Sequence, residues 1–227
     1  MPSAQFTPRV VRANRRHDFD RDIRIAHHGW FFSPKRGENI PYRGTLAFDF
    51  LTVAEAHPRV VGIEHKTDPV EWWNGSTWIT YYPRYSLQVR TGRRDLTRYI
   101  DVEVMSAAEL RDDRLRMNHI RRECLAGGRQ FMVFTERQCR VQPRLTNCKF
   151  ILQHSGEQIA SEQDRALIRQ IAIGTRHFTL NQVVETGVLT YPRAYSAVLS
   201  LVGLGDLTFP LGRRFDGDSL IRRRVGA

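Results

Sequence analysis

The order of helical and strand-like segments in the first two thirds of the chain restricts the fold more than any other feature. Apolar side chains recur first with helical spacing and then with strand alternation, and Pro58 and the pair Gly127–Gly128 end the two helices. In chain order the segments are a helix at residues 45–57, strands within 60–89 and at 99–105, a helix at 106–126, and a strand at 130–135. This order predicts an α/β unit built around a mixed sheet flanked by helices.

The last third of the chain follows a different pattern. Capping side chains precede three apolar runs with helical spacing, and two short strand-like runs flank a loop at residues 212–218, the arginine loop. The caps and their helices are Ser161 before 162–173, Thr179 before 180–185, and Thr190 before 191–201. Three helices followed by a hairpin predict a winged helix-turn-helix domain. The chain is therefore divided into an N-terminal arm (residues 1–40), an α/β domain (41–154) and a winged-helix domain (155–227).

The net charge narrows the choice of partner. The 227 residues carry a net charge of +11, and nearly all the positive charge comes from arginine. Such a charge attracts polyanions, and the arginine fork fits two oxygens of a phosphate. Double-stranded DNA is therefore the expected partner. The arm has six arginines between Arg9 and Arg24, and we expect it to contribute Arg15 and Arg16 to DNA binding.

Cysteine usage and hydropathy bear on the cellular setting. The three cysteines, Cys124, Cys139 and Cys148, are odd in number and form no Cys-x-x-Cys pair. This favours small buried side chains in a reducing compartment over disulfides, and over a zinc site completed by His119 or His154. No apolar run has the length of a membrane span. The sequence therefore predicts a cytoplasmic, nucleoid-associated protein that does not contact a membrane.

Three short motifs follow one another within the α/β domain. They are Gly44-Thr45-Leu46-Ala47-Phe48-Asp49-Phe50-Leu51, then Tyr82-Pro83-Arg84-Tyr85, then Val102-Glu103-Val104-Met105. Their order and spacing resemble those of the TnsA-like family, the endonuclease subunit of heteromeric transposases. In that family the frame reads roughly Ser-x-Leu-Glu-x-x-Phe-Leu, then Pro-Asp-Phe, then Glu-Val-Lys. The resemblance covers residues 25–150 and implies a restriction-endonuclease-like fold.

The resemblance also implies that the catalytic residues are lost. Ala47 stands in the place of the family's first carboxylate and Arg84 in the place of the second. Met105 replaces the lysine, so Glu103 is the one acid that is kept. A metal nuclease needs paired carboxylates, and we therefore expect a degenerate site with no catalytic residue, no resident metal and no cofactor. Asp49 lies about 200° around the helix from Ala47 and is expected to be a solvated charge.

In the winged-helix domain, the third helix is expected to face DNA. Its apolar side chains are expected inward, which turns a face of small and polar residues toward a major groove. Arg213 and Arg214 in the arginine loop suit phosphate or minor-groove contacts. The helix residues assigned to DNA are Thr190, Arg193, Ser196 and Ser200, on a face that also includes Ala197.

Together these features predict a DNA-binding protein built on an inactive TnsA-like nuclease fold and a winged helix. The resemblance implies a mobile-element or phage setting, as a transposition subunit or a transcriptional regulator, with a transposase or an ATPase regulator as partner subunits. One alternative is an active endonuclease in which Asp95, Asp101 and Glu103 hold magnesium. Another is a protein-docking subunit of a transposase or nuclease complex. The sequence leaves the oligomeric state open, a homodimer included.

Overall fold

The computed structural model describes residues 10–12, 27–65, 67–91, 96–156 and 159–224. Arg15, Arg16 and Asp95 lie outside these ranges, so their predicted roles stay predictions. The described strands are β1 (Val10–Arg12), β2 (His28–Ser33), β3 (Glu38–Arg43), β4 (Val60–Glu64), β5 (Val70–Trp73), β6 (Trp78–Tyr81), β7 (Tyr85–Arg90), β8 (Thr97–Val104), β9 (Gln130–Phe134), β10 (Leu207–Thr208) and β11 (Arg222–Arg223). The described helices are α1 (Thr45–Ala56), α2 (Ala107–Asp112), α3 (Arg114–Ala126), α4 (Glu136–Cys139), α5 (Arg144–Gln153), α6 (Glu162–Gly174), α7 (Leu180–Glu185) and α8 (Tyr191–Leu204).

A four-stranded sheet in the order β4-β7-β8-β9 forms the centre of the first two thirds of the chain. Neighbours from β4 to β8 are antiparallel, whereas β8 and β9 are parallel. Strand alternation directs Val102 toward α1, where it shares a core with Phe50. It directs Glu103 to the opposite face, beside Val133 and α3. The predicted α/β class, a mixed sheet flanked by helices, is confirmed.

The N-terminal hairpin β2–β3 is part of the folded core. Its strands pair from His28 with Arg43 to Ser33 with Glu38, and alternation buries Phe31. Ile40 on β3 is buried in the same core as α1. The predicted arm boundary at residue 40 is therefore corrected, because residues 28–40 form paired strands that bury apolar side chains.

The second predicted helix is divided into two. The side chain of Ser106 caps α2 in a capping box with Glu109, and the chain then turns at Asp113 before α3 begins. Leu115 and Leu125 of α3 are apolar but 87% and 70% exposed. The buried stripe of α3 has helical spacing, and neither leucine lies on it. That stripe consists of Met117, Ile120 and Cys124.

The ribbon β5–β6 divides the aromatic residues of this region into an exposed and a buried group. Its loop is four residues long, and the side chain of Asn74 accepts hydrogen bonds within it from the backbone of Ser76 and Thr77. Trp73 and Trp78 form an exposed cross-strand pair with ring centroids 6.0 Å apart. The buried aromatic side chains of this region are Trp72, Tyr81 and Tyr85.

The last third of the chain forms three helices and a small antiparallel sheet. The predicted helices are confirmed as α6, α7 and α8, with Ser161 and Thr179 as side-chain caps. β10 pairs antiparallel with β11, and Phe178, before α7, forms an antiparallel bridge with Ile221. Cys148 and Ile151 of α5 join the same core, so the domain boundary predicted at residue 154 separates α5 from helices that it packs against.

Two smaller findings concern the cysteines and membrane spans. Cys124, Cys139 and Cys148 are buried free thiols, as predicted for small core side chains. In each, burial raises the thiol pKa to about 11, so the side chain stays neutral. In the part of the chain that the structure describes, no helix has both the length and the apolar character to cross a membrane.

Candidate functional site

Three of the four residues of the predicted degenerate nuclease site line one pocket. Arg84 lies just before β7, Glu103 near the end of β8, and Met105 directly after it, around a pocket of about 410 Å³. The strand pairing of Tyr85 with Val102 brings the start of β7 to the end of β8. Ala47 is buried at 1% exposure and does not line this pocket. Helix α1 therefore contributes no side chain at that position to the pocket.

An ion pair occupies the centre of the pocket. The Nε of Arg84 lies 3.0 Å from Oε1 of Glu103, whose side chain is 5% exposed. The hydroxyl of Tyr81 donates to Oε2, and the backbone N–H of Val104 donates to Oε1 at 3.0 Å. Burial and the neighbouring charge of Glu103 raise the pKa of Tyr81, so its hydroxyl stays protonated as a donor. Every side-chain oxygen of Glu103 is therefore already engaged.

The guanidinium of Arg84 places a positive charge directly beside Glu103. Its Nη1 reaches toward the carbonyl oxygen of Arg43, 3.4 Å away, so the side chain extends from Glu103 on β8 to the end of β3. At 4 Å and an effective dielectric constant of about 20, each unit of charge on a cation would be repelled by roughly 4 kcal/mol. Arg84 thus neutralises Glu103 and opposes a metal ion beside it.

The second acid on this face of β8 is also neutralised. Nη2 and Nε of Arg129 lie 2.6 and 2.8 Å from Oδ2 of Asp101, and Arg129 also donates to the carbonyls of Asp68 and Pro69. Burial raises the pKa of Asp101, and the charge of Arg129 opposes that rise. Among the residues that the structure describes, no three His, Cys, Asp or Glu side chains are grouped to hold a metal ion.

Asp49 is not the solvated charge that helix phase predicted. It is 8% exposed, and its Oδ2 lies 2.7 Å from Nε of Arg140. Lys149 on α5 approaches Oδ1 at 3.9 Å. The segment 136–153 packs against α1 and covers the position that would otherwise face water, which is why the prediction is wrong. Asp49 connects α1 to this segment and takes no part in the pocket.

Helix α8 exposes less of its surface than a recognition helix was expected to. Ser200 is 1% exposed and Ala197 is fully buried, so their predicted outward positions are wrong. The reason is that α8 packs against α5, α6, α7 and β10, which together cover most of its circumference. Thr190 is exposed at its start and Ser196 is half-buried in its second turn. The residues of α8 that were assigned to DNA are therefore accessible only near its N-terminal end.

Arg193 at that end is already engaged within the protein. Its Nε and Nη2 lie 3.1 and 2.5 Å from the two carboxylate oxygens of Asp164 on α6, in a two-pronged ion pair. The hydrogen bonds from Arg193 lower the pKa of Asp164, which therefore stays ionised at neutral pH. The Arg193 side chain is 54% exposed. Base reading by Arg193 stays a prediction, and its demonstrated contact is between α8 and α6.

A residue that sequence reasoning missed holds the arginine loop. Asn147 on α5 is fully buried, and its Nδ2 donates to the carbonyl oxygens of Leu211 at 2.9 Å and Arg213 at 2.7 Å. Its Oδ1 accepts from the backbone N–H of Phe215 at 3.2 Å. Arg213 and Arg214 are exposed beside these bonds. No sequence signal marks Asn147, because a single amide within a helix is usually a surface residue.

No protein-family model and no curated protein matches the chain.

Proposed function

We propose that the protein binds double-stranded DNA without cutting it, through a degenerate TnsA-like nuclease fold joined to a C-terminal winged helix. The observation that carries this proposal is the ion pair between Arg84 and Glu103. It occupies the pocket where the resemblance expects a metal site. The net charge of +11 then supplies attraction for a polyanion without a catalytic centre.

The order of elements supports both parts of this architecture. The strands of the central sheet and two of the helices beside it occur in the chain order α1, β4, β7, β8, α3 and β9, and β9 is parallel to β8. This order suits a restriction-endonuclease-like core. In the last third, the bridge between Phe178 and Ile221 adds a third strand position to β10–β11. Helices α6, α7 and α8 with this small sheet suit a winged helix, whose exposed loop carries Arg213 and Arg214.

The proposed setting is a mobile element or phage, with a role in transposition or in transcriptional regulation. A transposase or an ATPase regulator would be its protein partner, and DNA binding would bring it to the nucleoid. Four of the described residues that were predicted to contact DNA are exposed or half-buried and have no carboxylate partner among the described residues. They are Thr190, Ser196, Arg213 and Arg214. The arginine loop is the main contact in this proposal, because the residues of α8 assigned to DNA are accessible only in its first two turns.

Duplex DNA is expected to bind with a steep dependence on salt. Each phosphate neutralised contributes about −0.9 to the slope of log K against log salt concentration, and the charge predicts at least about four contacts. The double variant Arg213→Ala/Arg214→Ala should reduce this slope by roughly 2 on any sequence, because phosphate contacts are not sequence-specific. The measurement is fluorescence anisotropy with random duplexes over a salt series. Affinity independent of salt, or no binding at about 50 mM salt, would overturn the proposal.

Purified protein is expected not to nick plasmid DNA in magnesium or manganese. The physical reason is that Arg84 neutralises Glu103 and that Met105 supplies no positive charge for the transition state. A nicking assay of the wild type beside Glu103→Ala tests this directly. Nicking by the wild type that disappears in Glu103→Ala would show an active site and support the alternative of an endonuclease with shifted ligands.

A second candidate function, a protein-docking subunit, is favoured by the burial of α8. A winged helix whose third helix is largely covered has little surface left for a major groove. The exposed pair of Trp73 and Trp78 provides apolar surface on another part of the molecule. The salt-dependent binding experiment separates the two functions, because a docking subunit has no need to bind duplex DNA.

A further inference from the structure

Two cations from distant parts of the chain hold the turn that follows α1. The Nζ of Lys35, in the β2–β3 turn, donates to the carbonyl oxygens of His57 at 2.8 Å and Val60 at 2.6 Å. Nη1 of Arg224, directly after β11, donates to the carbonyl oxygen of Pro58 at 2.6 Å. The turn at residues 57–60 is therefore where the C-terminal strand meets the α/β unit.

More positive charge surrounds this turn. Arg59 lies on the turn itself and is exposed, and its carbonyl oxygen accepts from the backbone N–H of Arg90 at 2.8 Å. Burial lowers the pKa of His57, and the charges of Lys35, Arg59, Arg224 and Arg144 lower it further. Burial also lowers the pKa of Arg224, with additional contributions from Arg90 and Arg59. Because Lys35 and Arg224 bond to carbonyls of the same four-residue turn that carries Arg59, the three positive charges lie close together and repel one another.

The surrounding acids do not balance this charge. Glu55 is buried beside Lys35, accepting from its backbone N–H at 2.9 Å and from the hydroxyl of Ser33 at 2.9 Å. Within residues 27–65, 67–91, 96–156 and 159–224, neither Arg59 nor Arg224 forms an ion pair with a carboxylate. Like charges gathered without acids are unfavourable, and an anion placed between them removes that cost.

The geometry of the cluster suits a phosphate group. Arg224 is held in place by its bond to Pro58, which fixes one guanidinium before any ligand arrives. Arg59 is exposed with a side chain free to close on the ligand from the turn. Arg222 and Arg223 on β11 directly precede Arg224 and are exposed. Several adjacent arginines match the repeated phosphates of a nucleic-acid backbone.

We propose that the turn at residues 57–60, with Arg59 and Arg224 as its main groups, is a phosphate-binding site that grips the sugar–phosphate backbone of duplex DNA. The choice of duplex DNA as the ligand rests on the proposed function, whereas the binding surface at residues 57–60 is an additional one. This surface joins the α/β unit to β11 and differs from the arm, α8 and the arginine loop, where the sequence predicts DNA contacts. DNA held here would contact both parts of the protein at once.

Arg59→Ala is the variant that tests this site, because Arg59 is exposed and its substitution leaves the bonds of Lys35 and Arg224 intact. On a random duplex of about 30 bp, we expect the salt slope to fall by about 0.9 and the affinity at low salt to fall roughly tenfold. Arg59→Lys should keep the slope, because it keeps the charge. Arg121→Ala, an exposed arginine on α3 at the other face of the sheet, is the matched control and should leave both unchanged.

The outcomes separate this site from the proposed function. One outcome is that the wild type binds DNA and that Arg213→Ala/Arg214→Ala weakens this binding but Arg59→Ala does not. The proposed site at residues 57–60 is then wrong, and the proposed function stands. If the wild type fails to bind at about 50 mM salt, the proposed function fails and this site loses its ligand. An equal loss in Arg59→Ala and Arg121→Ala would show general electrostatic attraction and would also overturn a site at this turn.

Discussion

Replacing Arg84 with alanine is expected to lower the free energy of unfolding by about 3–5 kcal/mol, because it leaves a buried carboxylate without its cation. Glu103 is 4% exposed, and the hydrogen bonds from Tyr81 and Val104 remain but carry no full positive charge. The cost arises from desolvation of the charge that is left, more than from the attraction that is lost. The pocket is therefore expected to depend on Arg84 for its stability.

The test is a double-mutant cycle measured by urea unfolding at neutral pH. Glu103→Gln should cost less than Arg84→Ala, because the side chain of Arg84 is 24% exposed and can turn toward water. Removing both charges in Arg84→Ala/Glu103→Gln should recover at least about 1 kcal/mol relative to Arg84→Ala alone. Wild-type stability in Arg84→Ala, or no recovery in the double variant, would show that the pair does not stabilise the fold.

The resemblance to the TnsA-like family is what assigned Arg84, Glu103 and Met105 to one site, and these three residues line one pocket. Glu103 and Met105 are two residues apart, a spacing that keeps side chains on one face of a strand. Ala47 does not line the pocket, because the spacing of a motif does not give the rotation of its helix against the sheet. The structure packs Ala47 into the interior instead.

Long-range ion pairs were beyond sequence reasoning for a different reason. Arg140 with Asp49 and Arg129 with Asp101 join segments whose contact depends on how the helices and the sheet pack. Arginine is the commonest charged residue of this chain, so composition offers many partners for each acid and selects none of them. The burial of Ser200 also depends on helix packing: Nη1 of Arg165 on α6 lies 3.5 Å from its hydroxyl, and α5 and α6 both pack against α8.

The helix N-caps were the features that the sequence predicted most reliably. Ser161 and Thr179 each accept a hydrogen bond from the backbone N–H three residues later, as their positions before apolar runs predict. Thr190 makes no such bond, although α8 still begins after it with Pro192 in its first turn. Caps depend on a few neighbouring residues, which is why they can be predicted without knowledge of the tertiary structure.

Replacing Asn147 with alanine is expected to lower the free energy of unfolding by about 2–4 kcal/mol and to weaken DNA binding as well. The substitution removes three hydrogen bonds and leaves the carbonyls of Leu211 and Arg213 and the N–H of Phe215 without their partner. Those groups set the path of the chain into the arginine loop. Arg213 and Arg214 would then be held less firmly, so their contacts with phosphate would cost more conformational entropy to form.

Thr146→Ala is the matched control, because Thr146 is the neighbouring residue on α5 and its hydroxyl donates to the exposed side chain of Gln142 at 2.8 Å. It should change the free energy of unfolding by less than about 1 kcal/mol. Asn147→Asp should be as harmful as Asn147→Ala, because it keeps the acceptor for Phe215 but replaces the amide donors with a buried charge. Urea unfolding measures stability, and anisotropy with a random duplex at a temperature where both variants are folded measures affinity. Loss of stability without loss of affinity would mean that the arginine loop is not a contact with DNA and that another surface of the protein binds the duplex.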